Sequence, residues 1–236
     1  MVRCLLLGVM ACCFSQVTVC GEEPVVSLFD GQTLEGWEKV GGDATFVVED
    51  QAIVGTSAPN TPNTFLCTTR EFDDFELTYE FQCDDELNSG VQIRSQRYDE
   101  PTVVENPDRK RTFSANRVHG YQVEIDPNKP DRLWMGGIYD EARRGWLFPG
   151  PRGGDGPSFT QQGQRVYKPG EWNQVRVVCQ GDHIRTWLNG EPRADFRDDW
   201  TPAGFIALQV HGVGPREDPL QVRWRQLQLR PLASDH

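Results

Sequence analysis

Two carboxylates and an amide share one face of a predicted strand, and these groups can do acid–base chemistry or hold a cation. In GYQVEID (residues 120–126), Gln122, Glu124 and Asp126 alternate with three apolar residues. The two carboxylates are two positions apart, which places them about 7 Å apart on one face. Like charges that close are unfavourable unless a cation or a shared proton compensates. The pattern favours a functional site, although an antiparallel sheet often has one ordinary polar face.

Two further predicted strands combine a glutamine with an ionisable side chain. Gln92 shares a face with Arg94 in residues 89–95, and Gln209 shares a face with His211 in residues 204–212. If these strands are neighbours of GYQVEID, their polar faces form one surface. On that surface Glu124 and His211 are the candidate acid–base groups.

A surface of this kind suits a sugar, because planar amides and charged groups pair with hydroxyls in fixed directions. Trp134, Tyr139 and Trp146 lie in neighbouring segments and can stack on a pyranose ring. Arg143 and Arg144 precede Trp146 in a glycine-rich stretch, where they are candidates for binding an anionic or polar group. The candidate substrate-binding residues from these patterns are Gln92, Arg94, Gln122, Trp134, Tyr139, Arg143, Arg144 and Gln209.

The elements that must position these residues are strands. Runs with period-two alternation recur along the chain and are separated by Gly, Pro, Asn and Asp, and no segment has sustained helical periodicity. The pattern predicts an all-β, two-sheet antiparallel β-sandwich in which the long stretches 96–119 and 140–168 are loops that line the site. In residues 220–229 the alternation slips, which predicts a β-bulge near Arg225.

The charge and the N-terminus narrow the classes of function. The 236 residues have a formal net charge of −11, which argues against nucleic acid and anionic membranes as partners. Residues 1–21 resemble a secretory signal peptide, so we expect an exported protein, periplasmic or extracellular, with a lipoprotein form the weaker alternative. The remaining residues 22–236 are predicted to form a single domain without a membrane span.

Cysteines do not indicate a disulfide framework in the predicted mature chain. Four of the seven cysteines lie in the predicted signal segment, and Cys67, Cys83 and Cys179 remain in apolar strand-like text. We expect these three to be buried as small apolar side chains, although one disulfide would be possible among them. No cysteine–histidine spacing suggests zinc.

Motifs along the chain resemble those of the 3-keto-disaccharide hydrolase domain family. The resemblance rests on LFDGQTLEGW (28–37), FELTYEF (75–81), NSGVQIR (88–94), GYQVEID, GIYD (137–140), PGEWN (169–173), LNG (188–190) and GFIALQVHG (204–212). The resemblance ends near VRWR (222–225), so it extends over about residues 26–232. Many members have Glu then Gln where this chain has Gln122 then Glu124, so the carboxylate occupies the other of two positions on the same face.

The resemblance implies a concanavalin-like jelly roll in a bacterial exported protein that cleaves glycosides already oxidised to a ketone at C3. It adds Asn88 to the candidate substrate-binding residues. In the implied chemistry a base removes the C2 proton, the C1 aglycone leaves and water adds to the enone. Glu124 or His211 would be the base, and Arg94 or charged His211 would stabilise the enolate. Asp126 would orient His211 or bind a hydroxyl, and a divalent cation held by Glu124 and Asp126 is an alternative to the arginine.

Two other functions remain open at this point. An ordinary glycosidase of laminarinase-like fold would carry a second glutamate two residues after Asp126, where this chain has Asn128. The other alternative is a non-catalytic carbohydrate-binding module, because a fold alone does not specify a function.

Overall fold

The computed structural model describes residues 24–106 and 109–233, and it confirms the predicted all-β sandwich. The predicted signal segment lies outside these residues. The elements are β1 (Val26–Ser27), β2 (Trp37–Gly41), β3 (Thr45–Glu49), β4 (Ala52–Thr56), β5 (Thr64–Phe72), β6 (Phe75–Cys83), β7 (Ser89–Arg97), β8 (Thr102–Asn106), β9 (Arg109–Phe113), β10 (Val118–Ile125), β11 (Ile138–Glu141), β12 (Gly145–Phe148), α1 (Gly156–Val166), β13 (Asn173–Gln180), β14 (His183–Leu188), β15 (Glu191–Arg197), β16 (Gly204–Val210) and β17 (Gln221–Pro231).

Two large antiparallel sheets form the sandwich. The first has the order β15-β14-β13-β6-β17-β4-β3, with β1 paired to β17, and the second has the order β12-β11-β10-β7-β16-β5-β2. A separate hairpin consists of β8 and β9. The three strands that carry the predicted polar faces, β10, β7 and β16, are therefore consecutive neighbours in the second sheet, which is the condition under which their polar faces form one surface.

The core lies between the sheets and is filled by the apolar faces that the alternation predicted. Tyr121, Val123 and Ile125 on β10 are fully buried there, as are Val91 on β7 and Leu208 on β16. On the other side of the sandwich β6 alternates strictly between buried and half-buried residues, which is typical of a sheet with one solvated face. The outer face of the second sheet is different, because its polar residues are buried too.

The last strand contains the predicted bulge. The register of β17 against β6 shifts between Arg225 and Gln228, and Gln226 has a φ of 54°. The shift brings Val222, Trp224 and Leu227 to the same buried side.

The long stretch 140–168 holds elements that the alternation did not predict. It contains β12 and the helix α1, which begins after Asp155, whose carboxylate accepts a hydrogen bond from the backbone N–H of Ser158 at 2.9 Å. The local text Asp155-Gly156-Pro157 is a recognisable helix start, with an N-cap residue followed by an early proline. Similarly, the stretch 96–119 contains the β8–β9 hairpin.

Cys67, Cys83 and Cys179 are buried free thiols, in agreement with the expectation from their apolar surroundings. Among the described residues, no helix has the length and apolar character that a membrane crossing requires.

Arg94 does not lie on the polar face, contrary to the prediction. Strand β7 has one extra residue at this point, because its register shifts between residues 93 and 96 against β10 and between residues 92 and 95 against β16, and Arg94 has a φ of 45°. The bulge reverses the alternation, so Ser95 takes the outer-face position and Arg94 turns inward. There its guanidinium donates to Asp73 O (2.6 Å), Gly181 O (2.7 Å) and the Asp74 carboxylate (2.7 Å), so it ties β7 to the β5–β6 connection and to the β13–β14 turn.

This buried ion pair should contribute strongly to stability. We expect Arg94→Leu to lower the free energy of unfolding by about 3 kcal/mol or more, because it leaves the Asp74 charge buried without its partner. Arg97→Leu is the matched control on the same strand, since Arg97 pairs with Glu38 at the surface and should cost less than about 1 kcal/mol. Urea unfolding of the three proteins measures both values, and equally small losses would contradict the bracing role of Arg94.

Candidate functional site

A polar cleft of about 510 Å³ lies on the outer face of the second sheet. Its floor is formed by β10 and its walls by β11, β12 and the loops around them. The lining residues are mostly charged groups and amides: Asn63, Asn88, Arg111, Arg117, Gln122, Glu124, Asp126, Asn128, Lys129, Arg132, Tyr139, Glu141, Trp146 and His211. The predicted carboxylates Glu124 and Asp126 and the predicted His211 thus meet at one site.

A chain of side-chain hydrogen bonds crosses the sheet and ends on Glu124. Ser95 Oγ donates to Gln92 Oε1 (2.8 Å), and Gln92 Nε2 donates to Gln122 Oε1 (2.6 Å). Gln209 Nε2 donates to the same Gln122 oxygen (2.7 Å), and Gln122 Nε2 donates to Glu124 Oε2 (2.8 Å). The three predicted glutamines are therefore adjacent. Gln92 and Gln209 are fully buried, and they hold Gln122 in place through the hydrogen bonds to its Oε1. Of the three, Gln122 alone lines the cleft.

Gly90 makes this arrangement sterically possible. It lies between Glu124 on β10 and Gln209 on β16 in the strand register. A Cβ atom at this position would be 2.5 Å from Gln122 Cγ. Because glycine has no Cβ, the Gln122 side chain can lie over Gly90 and reach its hydrogen-bond partners. These partners are Gln92, Gln209 and Glu124.

Glu124 is a buried carboxyl group whose proton is held unusually tightly. Its exposed fraction is 5 %, and burial together with the nearby charge of Asp126 raises its pKa to about 8. Hydrogen bonds from Asn88 Nδ2 (2.6 Å) and Gln122 act in the opposite direction but are outweighed. A carboxyl group with a pKa near neutrality can exchange a proton with a substrate under ordinary conditions.

Asp126 is held by a different set of partners. Asn88 Nδ2 also donates to Asp126 Oδ1 at 3.2 Å, so one amide bridges the two carboxylates. Arg132 forms an ion pair with the other Asp126 oxygen. The guanidinium of Arg132 also lies 5.1 Å from the ring of Trp134 and 4.9 Å from that of Trp146. The charge of Asp126 is thus compensated by an arginine that two indole rings hold in place.

His211 lies at the exposed lip of the cleft, beyond the end of β16. Its Nδ1 is 2.8 Å from Gly212 O, and since a carbonyl oxygen can only accept, Nδ1 carries the hydrogen. Asp126 does not orient this ring, contrary to one of the predicted roles, because its oxygens are bonded to Asn88 and Arg132. Nε2 of His211 remains as the nitrogen that can exchange a proton.

Glu141 adds a third carboxylate to the cleft. It is buried on β11, on the same face as Tyr139, and forms an ion pair with Arg117. Burial raises the pKa of Glu141, while Arg117 and then His211 lower it.

The aromatic residues behave as two groups. Tyr139 and Trp146 line the cleft, with ring centroids 5.5 Å apart in an edge-on arrangement. Trp134 packs edge-on against Trp146 at 4.7 Å and donates to Thr160 Oγ1 at 3.0 Å. Trp134 does not line the cleft. It packs against Trp146 and Arg132, which do line it.

Arg143 and Arg144 do not reach the cleft, contrary to their predicted placement. Both guanidinium groups pair with the fully buried Asp140, at 2.6 and 2.5 Å, and Arg144 also pairs with Asp198 at 2.9 Å. Asp140 lies opposite Tyr121 in the strand register, which puts this network on the core side of the sheet. The two arginines therefore hold the loop after β11 against the sandwich rather than a ligand in the cleft.

The cleft is poorly suited to a divalent cation. Both oxygens of Glu124 accept hydrogen bonds from amide N–H groups, and Asp126 is paired with Arg132. Over residues 24–106 and 109–233, no group of three or more His, Cys, Asp or Glu side chains is arranged to hold a metal ion. A cation would also have to displace the Asn88 amide that points at both carboxylates.

Several cleft residues were missed from the sequence. Arg117, Asn128, Lys129, Arg132 and Glu141 line the cleft but were not among the candidates. A signal existed for two of them. Glu141 has the same strand parity as Tyr139, and Arg132 precedes Trp134 by two positions. The others are loop residues whose positions depend on tertiary structure.

The raised pKa of Glu124 predicts a pH-dependent stability. The unfolded chain releases this proton near pH 4.5, whereas the folded chain keeps it up to about pH 8. The wild-type protein should therefore lose stability as the pH rises between these values, by at most about 1.4 kcal/mol per pH unit from this group. Glu124→Gln should lack this contribution. Urea unfolding at pH 5 and pH 8.5 tests it, and a pH-independent difference between the two proteins would contradict the assigned environment.

Comparisons with known proteins agree with this architecture. A protein from Parabacteroides distasonis described as a candidate glycosyl hydrolase is 19 % identical with a TM-score of 0.54, covering 89 % of this chain and 94 % of its own. A Bacillus subtilis protein of unknown function with a galectin-like fold is 10 % identical with a TM-score of 0.55, covering 85 % and 91 %. At these identities both show the fold alone. No curated protein sequence matches the chain.

A family model gives the specific assignment. The family described as the 3-keto-alpha-glucoside-1,2-lyase-like domain matches residues 24–230, which is nearly all of the described chain. The matched region includes the whole cleft and each of the sequence motifs that pointed to this family. The chain belongs to the 3-keto-α-glucoside-1,2-lyase-like family.

Proposed function

We propose that this carbohydrate-active jelly-roll protein cleaves the glycosidic bond of 3-keto-glycosides, disaccharides included, by proton abstraction at C2, elimination and hydration. The observation that carries the proposal is the environment of Glu124. It is a buried carboxyl group with a pKa of about 8, fixed by a hydrogen-bond chain at the floor of a polar cleft. The family description, which names a 1,2-lyase, supports elimination across C1 and C2.

The reaction divides into two balanced steps. Ionised Glu124 takes the C2 proton, which the C3 ketone acidifies, and the C–H electrons form an enolate with its charge on O3. The electrons then form a C1=C2 double bond as the bond from C1 to the aglycone oxygen breaks. Water adds across that double bond, with hydroxyl at C1 and hydrogen at C2. The products are the free 3-keto sugar and the aglycone alcohol.

The developing negative charges need partners, and the cleft supplies them from its loops. Arg94 was the sequence candidate for the enolate, but it is buried on the core side. Lys129 and Arg132 lie on the loop that follows β10, and both line the cleft beside Asp126. We assign enolate stabilisation to these two residues. Protonated His211 at the cleft lip then donates to the departing aglycone oxygen through Nε2.

Export is a further part of the proposal. The signal-like segment 1–21 supports a protein that acts outside the cytoplasm as one domain over residues 22–236. A site built to act on oxidised glycosides fits a location where such sugars are taken up or degraded.

Substitution of the proposed acid–base groups tests the assignment directly. Glu124→Gln and His211→Ala should each lower turnover of 4-nitrophenyl 3-keto-glucoside at least about 10²-fold, because each removes a proton-transfer group. Glu80→Gln is the matched control. Glu80 is a strand carboxylate on the outer face of the other sheet, paired with Arg225, and its loss should leave turnover near the wild-type rate.

The substrate distinguishes the alternative functions. Release of nitrophenol from the 3-keto form alone supports the proposal, whereas release from plain 4-nitrophenyl glucoside as well indicates an ordinary glycosidase. Binding of either compound without release indicates a carbohydrate-binding module. Wild-type rates in both substituted proteins would remove Glu124 and His211 from the mechanism.

The pH profile identifies the role of Glu124. A general base must be ionised, so in the His211→Ala protein, which lacks the second proton-transfer group, the residual kcat/KM for the 3-keto substrate should rise about tenfold per pH unit below pH 8 and level off above it. If Glu124 acted as the proton donor instead, the same quantity would fall above pH 8. Steady-state kinetics between pH 5.5 and 9.5 separate the two roles. The rise of kcat/KM with pH below pH 8 should be absent from the residual activity of Glu124→Gln.

A further inference from the structure

A second and larger cavity of about 710 Å³ adjoins the polar cleft. Four segments that are far apart in sequence form it: the β6–β7 turn, the loop after β10, the end of α1 with the residues that follow, and the β16–β17 loop. Asn128 lines both the cleft and this cavity, so the two spaces meet at this residue. In chain order, Glu124, Asp126 and Asn128 lead from the cleft floor to the junction.

The walls of the second cavity differ chemically from those of the cleft. Pro127, Pro130, Leu133, Tyr167 and Pro169 line it and present rings and aliphatic carbon. The charged groups in the lining are Asp85, Glu86 and Arg216, and Glu86 and Arg216 form an ion pair with each other. A sugar needs hydrogen-bond partners on several sides, whereas these walls offer mainly apolar contact.

The junction itself contains an unused polar atom. Asn128 Oδ1 is buried and has no hydrogen-bond partner among the residues that the structure describes. A buried acceptor without a partner is unfavourable, and a rotation of the Asn128 side chain into the junction would bring this oxygen to a donor on a ligand that spans the cleft and the cavity.

We propose that the second cavity is the leaving-group subsite and that it holds a planar apolar aglycone, such as an aromatic ring. This inference rests on the proposed function, because it needs the 3-keto sugar to lie in the cleft beside Glu124. C1 of that sugar then points along the path to Asn128, and the aglycone enters the space between Pro130, Leu133 and Tyr167. The volume is in the range of sites that bury small organic ligands.

Filling the cavity tests the assignment. Gln164 lies on the exposed side of α1, lines the cavity and donates to Pro130 O at 3.0 Å. Gln164→Trp should place an indole in the aglycone space. The ratio of kcat/KM for 4-nitrophenyl 3-keto-glucoside to that for methyl 3-keto-glucoside should fall at least about 10-fold, because only the aryl compound needs the apolar contact. Gln161→Trp is the control: Gln161 is exposed on the same helix and is not part of the lining, so the ratio should stay at the wild-type value.

A binding measurement keeps this test separate from the test of the reaction. The dissociation constant of free 4-nitrophenol, measured by titration calorimetry, should rise at least about 10-fold in Gln164→Trp and remain unchanged in Gln161→Trp. Loss of nitrophenol binding with no turnover of any 3-keto-glycoside would support the subsite and reject the proposed reaction. An unchanged binding constant in Gln164→Trp, or the same change in both variants, overturns the subsite, whether or not the reaction occurs.

Discussion

The outer face of the second sheet is buried although it is polar, and this constraint governs the site. Polar groups removed from water must be bonded to one another. The three central strands meet most of this requirement with a chain of side-chain hydrogen bonds that starts at the Ser95 hydroxyl, passes through Gln92 and Gln122 and ends on Glu124, although Gln209 Oε1 is buried without a partner. The chain has a direction, because each member donates to the next. Its last acceptor, Glu124, is a carboxyl group whose pKa burial raises to about 8.

The same constraint explains why Lys129 and Arg132 reach the cleft from a loop and not from the central strands. On the polar face, the guanidinium of Arg94 would be buried among the side-chain amides of the three glutamines. The bulge in β7 instead turns Arg94 towards the first sheet, where Asp74 and two carbonyls surround it. Arg132 and Lys129 then bring positive charge to the cleft from its rim, where water can reach them. Arg94 therefore stabilises the packing of the two sheets, whereas Arg132 and Lys129 are the cations available to a ligand.

The loop after β10 connects the two halves of the proposed substrate site. Asp126 and Arg132 belong to the cleft, Pro130 and Leu133 belong to the second cavity, and Asn128 belongs to both. Arg132 is fixed by an ion pair and by two indole rings. In the proposed reaction the polar half of the site would supply proton transfer and charge, and the apolar half would supply contact area for the leaving group.

The sequence by itself determined most of the strands and their buried faces, because period-two alternation reports which side of a strand is apolar. The adjacency of the three glutamines was decided by the tertiary structure, because alternation within a strand does not specify its neighbours. The sequence also predicted the bulge in β17, where the alternation slips. It could not place Arg94, Arg143 or Arg144, because an arginine in a strand or loop has the same sequence pattern whether its partner is a ligand or a buried aspartate. Even Asp140, which is only three and four residues from Arg143 and Arg144, is buried by the packing of the sandwich and not by a local pattern. Asp74 lies 20 residues from Arg94, and Asp198 lies 54 from Arg144. Those pairings, and the joining of cleft and cavity at Asn128, were decided only when the sheets packed.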